Sequence, residues 1–394
     1  VTDVSERLEE LRERGLYRRL RLIEGPQGPS VTLDGRPVLL LCSNNYLGLA
    51  DRAEVRDAAA EAALRWGAGS GASRLISGNM EPHRRLESRL AAFKGYEAAL
   101  LFGSGYLANT GVVAALAGKG EVVFSDELNH ASIVDGCRLS RAETFVYRHG
   151  DTEHLEWGLY RARGRPALVV TDGVFSMDGD VAPLTELLEI ARRHGVRLMV
   201  DEAHATGAVG PGGRGSVAGA GLSGEVDVVV GTLGKALGSY GAYVCAEAEL
   251  VDLLVNAARP FIFSTAPPPP ALGAALAALE ILDSEPGLVA RLQANAETLR
   301  SALAAEGLDV GSSSTPVVPL QVGDPATTME LCEQALRRGV FAQGIRPPTV
   351  AAGSSRLRFT AMATHQPQEL VRAAREVGAT ARELGLVESQ PLAA

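Results

Sequence analysis

Val228-Val229-Val230-Gly231-Thr232-Leu233-Gly234-Lys235 is the stretch from which the rest of the chain is read. Three consecutive valines describe a strand buried on both faces, which is how strands of a parallel sheet read. Two upstream stretches have the same form. Val169-Val170 leads into Thr171-Asp172-Gly173-Val174-Phe175-Ser176, and Leu198-Met199-Val200 leads into Asp201-Glu202-Ala203-His204. The three recur at about 30-residue spacing, the size of a strand–helix–strand unit. Further apolar runs at Ala98–Phe102 and Val122–Phe124, with helical patterning such as Leu184–His194 between runs, predict an α/β fold. Its sheet is expected to be mostly parallel and covered by helices on both faces. Ligands of such sheets bind beyond the carboxyl ends of the strands. A lysine, carboxylates, an imidazole and hydroxyls are therefore expected along one sheet edge.

On either side of this core the pattern changes. Residues 3–22 read as an amphipathic helix, with Val4, Leu8 and Leu11 on one face and Gly15 interrupting or ending its first part. Val31 to Leu41 reads as a hairpin around Asp34-Gly35. Pro267 to Pro270 marks a break, followed by a long helical stretch from Ala271 to Glu306. Strands are expected near Val317–Val322 and Arg356–Thr360, and a frayed end over Glu388 to Ala394. The expected organisation is an N-terminal arm (1–45), a large domain (46–284) and a smaller α/β C-terminal domain (285–394).

Composition narrows the function. The 394 residues carry a formal net charge of −9, which argues against a nucleic-acid or anionic-membrane partner. Cys42, Cys137, Cys245 and Cys332 are far apart and form no CxxC pair, so neither a metal site nor a disulfide framework is expected. The N-terminus lacks the apolar stretch of a signal peptide, and a cytoplasmic location is the expectation. Only three of the 38 lysine and arginine residues are lysine: Lys94, Lys119 and Lys235.

Lys235 follows a buried strand among small neighbours, where a desolvated amine becomes a nucleophile toward carbonyls. Lys94 and Lys119 lie beside helix-end glycines and read as exposed basic residues. Asp201 ends a buried strand and needs a cationic partner or hydrogen-bond donors; a protonated cofactor ring nitrogen would serve, and so would a simple turn cap. Asp201-Glu202-Ala203-His204 also matches a helicase ATPase signature. That reading needs an upstream phosphate-binding GxxxxGK loop followed by serine or threonine, and the chain has none. Gly103-Ser104-Gly105-Tyr106 joins an apolar run to a helix start, where backbone N–H groups favour a phosphate, although such glycines often mark only a turn. Thr232 adds a hydroxyl. His130 can stack on a flat ring or relay protons, yet alone reads better as a structural histidine. Arg346, in Arg346-Pro347-Pro348-Thr349, is shaped to grip a carboxylate, or is one exposed arginine among many.

Taken jointly, these residues resemble a known family. Ser43-Asn44-Asn45-Tyr46-Leu47-Gly48-Leu49, Gly69-Ser70-Gly71-Ala72-Ser73-Arg74, Ser125-Asp126-Glu127-Leu128-Asn129-His130-Ala131-Ser132, Gly173-Val174-Phe175-Ser176-Met177-Asp178-Gly179-Asp180, Asp201-Glu202-Ala203-His204 and Gly231-Thr232-Leu233-Gly234-Lys235 are similar to motifs of the α-oxoamine synthases. These are fold-type I enzymes that use pyridoxal 5'-phosphate (PLP). The resemblance implies that Lys235 is the Schiff-base lysine and proton carrier and that Asp201 binds the pyridine nitrogen. It implies that His130 stacks on the ring and that His204 and Ser176 lie near the ring oxygen. Gly105, Tyr106 and Thr232 would hold the phosphate. Ser264 and Thr265 would reach the phosphate of a neighbouring subunit, in a homodimer. Asn44 and Arg346 would handle substrate carboxylates, with Arg18 and Thr349 near the acyl substrate. Arg259-Pro260-Phe261-Ile262-Phe263-Ser264-Thr265 and Arg346-Pro347-Pro348-Thr349-Val350 look most like the biotin-pathway branch. That branch joins L-alanine to pimeloyl-CoA or its acyl carrier protein equivalent with loss of carbon dioxide. Asp172 departs from this pattern: some members of the biotin branch carry glutamate at this place, and the threonine-catabolic branch resembles this chain in carrying aspartate. Other pairs of amino acid and acyl-CoA, or a non-catalytic partner subunit, are the alternatives.

Overall fold

Val228, Val229 and Val230 are fully enclosed, in the Val228–Thr232 strand of a seven-stranded sheet. The computed structural model describes residues 3–162, 164, 165 and 167–387; the end expected to fray, 388–394, lies outside them. Across the sheet the strand order is Ala98–Phe102, Ala242–Ala246, Val228–Thr232, Arg197–Asp201, Ala167–Asp172, Val122–Asp126, Glu143–Tyr147. The five strands from Val228–Thr232 to Glu143–Tyr147 are parallel. Ala242–Ala246 is antiparallel to both its neighbours. The expected α/β architecture is thus present, with a mixed sheet.

Successive residues of a strand point to opposite faces, and two cores result. One joins Leu100, Phe102, Val123, Val170, Met199 and Val230 to Val112 and Val113 of the Gly105–Leu116 helix. The other joins Phe124, Val169, Leu198, Val200 and Val229 to Leu184, Leu187 and Leu188 of the Leu184–His194 helix. The register sets Asp172 opposite Asp201, and Asp201 opposite Val230. The strand ends expected to carry chemistry therefore lie side by side.

The described chain divides into two compact units. One, spanning Leu49–Ser176 and Asp180–Val289, contains this sheet. The other gathers the residues up to Gly48, Met177–Gly179 and those from Ala290 onward. In it the Ser30–Leu33 and Arg36–Leu40 strands form the expected hairpin, and Val340–Phe341 pairs in parallel with the latter. Val317–Gly323, Ser355–Thr360 and Gln343–Ile345 form a separate antiparallel sheet.

Three local expectations are corrected. The N-terminal helix covers only Val4–Glu13 and buries no side chain. Gly15 lies just beyond it at φ +63°, so Arg18 is outside the helix. The long helical stretch is two helices, Pro269–Ser284 and Gly287–Ala305, because Pro286 has no N–H to continue the first. Lys94 is 3% exposed, and its Nζ is paired with the Glu202 carboxylate. Among the described residues, no helix is long and apolar enough to cross a membrane.

Candidate active site

Asp201 ends its strand 4% exposed. Its Oδ1 accepts the Ala203 N–H at 2.8 Å, and its Oδ2 accepts Asn109 Nδ2 at 2.6 Å. Asn109 lies one turn into the Gly105–Leu116 helix, 1% exposed, and its amide also donates to Ser132 Oγ at 2.9 Å. Ser132 Oγ in turn lies 2.7 Å from His130 Nδ1. Four side chains are thus linked from Asp201 to His130. His130 caps the Ala131–Ser140 helix, and its N–H donates to Asp172 Oδ2 at 2.8 Å. Loss of water around the imidazole lowers the His130 pKa; the Asp201 charge opposes this shift and the Lys235 charge adds to it. Burial pushes the Asp172 carboxyl well above the usual range, with Asp201 repelling a second negative charge.

On the adjoining strand end, Lys235 Nζ lies 2.8 Å from His204 Nε2. At that distance one of the two nitrogens must offer a lone pair, so they are not both cations. Thr232 Oγ1 accepts the Gly234 N–H at 3.2 Å and donates to the Gly241 carbonyl at 3.1 Å, which shapes the turn into Lys235. Ser104 caps the Gly105–Leu116 helix through a bond from the Leu107 N–H. A Cβ built on Gly105 would meet no atom within 4 Å beyond its chain neighbours and its own helix backbone, so no other part of the described protein crowds this helix start, where an anion is favoured. Tyr106 is exposed beside it, its hydroxyl bonded to Asp135. Ser176 is half-buried in the loop after Asp172.

The donor set fits PLP. A half-buried amine, a buried carboxylate on the neighbouring strand, an imidazole and an open helix N-terminus supply one partner each for its aldehyde, ring nitrogen, ring face and phosphate.

Not every expected residue joins this cluster. Ser264 and Thr265 follow the Arg259–Ile262 helix; Thr265 is exposed and bridges to Ser73 through the backbone. Arg18, Asn44, Arg346 and Thr349 belong to the other compact unit. There Arg18, Arg346 and Thr349 line a groove of about 730 Å³. Arg346 is buried and donates to the Tyr17 carbonyl at 2.9 Å, while its Nε has no partner. Burial and the nearby Arg18 charge lower its pKa. Asn44 Oδ1 accepts from both terminal nitrogens of Arg358, each at 3.3 Å.

Sequence reading gave no role to Asn109 or to Ser132, although Ser132 closes one of the quoted motifs; the signal at Asn109 is a polar residue in an otherwise apolar helix. It also missed His149. That ring is held between Asp126 Oδ1 at 3.0 Å and Asp180 Oδ2 at 2.9 Å, and the two carboxylates raise its pKa to about 10.

Residues 36–377 match the family described as aminotransferase class I and II. The 8-amino-7-oxononanoate synthase of Geobacter sulfurreducens is 54% identical over 387 residues, covering 98% of this chain and 99% of that protein. That of Anaeromyxobacter dehalogenans is 54% identical over 367 residues, covering 93% and 92%. Among solved structures, serine palmitoyltransferase of Sphingomonas wittichii is 32% identical with a TM-score of 0.92, covering 98% of each chain. A serine palmitoyltransferase from S. paucimobilis with PLP and myriocin bound is 33% identical, also with a TM-score of 0.92 and 98% of each chain covered. The 8-amino-7-oxononanoate synthase of Francisella tularensis is 28% identical with a TM-score of 0.76, covering 88% of this chain and 98% of that one. The chain belongs to the PLP-dependent class I and II aminotransferase family, in the branch that holds these 8-amino-7-oxononanoate synthases.

Proposed function

We propose that the chain condenses L-alanine with pimeloyl-CoA, or the pimeloyl thioester of an acyl carrier protein, releasing the thiol and carbon dioxide and forming 8-amino-7-oxononanoate. The observation that carries this reading is the 54% identity, over 98% of the chain, to an enzyme of that name. The strand-end cluster supports it with a set of groups suited to the chemistry.

Lys235 would hold PLP through Nζ, Asp201 would face the ring nitrogen, and His130 would cover the ring. Gly105, Tyr106 and Thr232 would hold the phosphate, and Ser176 and His204 would lie near the ring oxygen. Bound there, PLP supplies an electron sink for the negative charge that develops on the substrate α-carbon. With the amino acid bound, Lys235 Nζ would remove the α-proton and later return one. His204, 2.8 Å away, can share that proton. Asp201 keeps a negative charge against the ring nitrogen. Arg346 and Asn44 orient the substrate carboxylates, and Arg18 and Thr349 serve the acyl chain. Such orientation would align the bond that breaks with the electron sink that PLP supplies. Ser264 and Thr265 serve the phosphate of a second subunit in a cytoplasmic homodimer, which sedimentation of the purified protein checks.

The protein should be yellow as purified, with a borohydride-reducible linkage that Lys235→Ala abolishes. L-alanine with a pimeloyl thioester should give thiol release above every other pair. A second reading has its own support. The serine palmitoyltransferases superpose with a TM-score of 0.92, against 0.76 for the Francisella 8-amino-7-oxononanoate synthase. A matrix of alanine, glycine and serine against short, dicarboxylic and long-chain acyl thioesters separates the two. Preference for serine with a long-chain thioester would overturn the first reading, and bound PLP without turnover on any pair would point to a non-catalytic subunit.

A further inference from the structure

The bonds that link Asp201 to His130 have a direction. Asp201 Oδ1 accepts the Ala203 N–H at 2.8 Å, so this carboxylate already serves as an acceptor there. Its Oδ2 lies 2.6 Å from the Asn109 amide. An ionised carboxylate has no proton to give, so the Asn109 atom facing it must be the NH2 group. The same NH2 group reaches Ser132 Oγ at 2.9 Å. Ser132 Oγ then accepts from Asn109, and of its two partners only His130 Nδ1, at 2.7 Å, can take its single proton. The Ser132 backbone N–H points to the same nitrogen at 3.3 Å. Nδ1 is therefore an acceptor, and the ring proton sits on Nε2.

We propose that Asn109 and Ser132 are positioning residues that hold His130 neutral, with its proton on Nε2, for as long as Asp201 is ionised. The reverse arrangement can be written out as well, at the cost of setting the Ser132 backbone N–H against a second donor. A protonated Asp201 would donate to Asn109 Oδ1, Ser132 would donate to the same oxygen, and His130 Nδ1 would have to carry a proton to reach Ser132 Oγ. The relay thus ties the tautomer of the ring over the cofactor site to the charge that the cofactor nitrogen requires. The charged and titratable groups around the ring agree with the neutral form. Lys235 disfavours a second positive charge, Asp201 favours one, and Asp172 is occupied by the His130 backbone N–H. Removal of the imidazole from water tips the balance to the neutral ring.

This inference rests on reading the cluster as the PLP site, but its test needs no substrate. The holoenzyme is prepared with 15N-labelled histidine, and the signal of His130 among the seven histidines is assigned by its absence in His130→Gln. The expected spectrum shows an unprotonated Nδ1 and a protonated Nε2, unchanged across the neutral pH range. Ser132→Ala should give a mixture of tautomers and a His130 that gains a proton at higher pH than in the parent protein. Ser132→Thr, which restores the hydroxyl, should return the parent spectrum. Asn109→Ala should behave as Ser132→Ala does. A proton on Nδ1 in the parent holoenzyme, or a Ser132→Ala spectrum identical to it, would overturn the proposal. Thiol release is measured separately on the same samples: its absence would count against the proposed reaction and leave the tautomer reading standing.

Discussion

Lys94 sits where a surface lysine was expected, and replacing it should cost far more than a surface change does. Its side chain and that of Glu202 are 2% and 0% exposed. Lys94 Nζ donates to Glu202 Oε2 and to the Arg214 carbonyl, and lies 3.5 Å from Thr206 Oγ1. Glu202 Oε1 separately accepts Ser216 Oγ at 2.9 Å and the Val217 N–H at 2.7 Å. Lys94→Met keeps the length of the stem and removes the charge. Glu202 is then a buried carboxylate with two neutral donors and no cation. Removing one partner of a buried pair costs about 3–5 kcal/mol. The two surviving donors place the expectation near the lower end, about 3 kcal/mol, or more than 100-fold in the folding equilibrium. An exposed lysine would give about 0.5 kcal/mol or less.

The assay is equilibrium denaturation at a fixed, saturating concentration of PLP, because a bound ligand itself shifts stability. Trp66 and Trp157, the two tryptophans of the chain, both lie in the unit that holds the pair, so fluorescence reports on the right body. The double variant Lys94→Met/Glu202→Leu removes both charges, and should lie closer to the parent protein than Lys94→Met alone. A loss under about 1 kcal/mol for Lys94→Met, or a double variant as unstable as the sum of the singles, would refute the reasoning.

Three further outcomes are expected. The His149 pKa is raised from 6.5 to about 10 by hydrogen bonds to Asp126 and Asp180, so the folded state binds the proton more tightly than the unfolded chain. Its contribution to stability is complete below pH 6.5 and is lost as pH rises toward 10; His149→Gln should flatten stability against pH in that window, and an unchanged slope would count against the bridge. Gly273→Ala normally favours a helix by up to about 1 kcal/mol. Here the new Cβ would lie 2.6 Å from the Ala58 carbonyl oxygen and 2.7 Å from Ala62 Cβ, so an overpacking cost of about 1–3 kcal/mol should outweigh that gain, and thermal unfolding should show a net loss of up to about 2 kcal/mol. Arg346→Ala should raise KM for the carboxylate-bearing substrate by about 10- to 150-fold, the equivalent of one charged hydrogen bond. Steady-state kinetics that left KM unchanged would remove Arg346 from substrate binding.

What could be read from the sequence and what could not divide along a physical line. Asp172, Asp201, Thr232 and Lys235 were legible because each ends or closely follows a strand with an apolar run, and strand ends of a parallel sheet share one edge. Glu143–Tyr147 and Ala242–Ala246 were not legible as strands. The first is an edge strand with exposed residues and no continuous apolar run. The second, Ala242-Tyr243-Val244-Cys245-Ala246, has a single β-branched residue and is buried only because it is inserted antiparallel between two neighbours.

The polar residues that escaped notice have another cause. Asn109 meets Asp201 across 92 positions of sequence, and Lys94 meets Glu202 across 108. Neither residue has a local partner that would have marked it. A glycine beside Lys94 reads as a helix end, and helix ends are usually wet; that this one is dry follows from Glu202, Thr206 and Arg214 on a distant turn. Periodicity reports which face of an element is apolar, and says nothing of which buried donor will find which buried acceptor. Yet that pairing is strongly constrained once the fold exists, because each buried polar atom must be matched with one of opposite kind or bear the full desolvation cost. In the relay from Asp201 to His130 the direction comes from the charge instead: an ionised carboxylate can only accept, so Asn109 presents its NH2 group even though its buried Oδ1 is left without a partner.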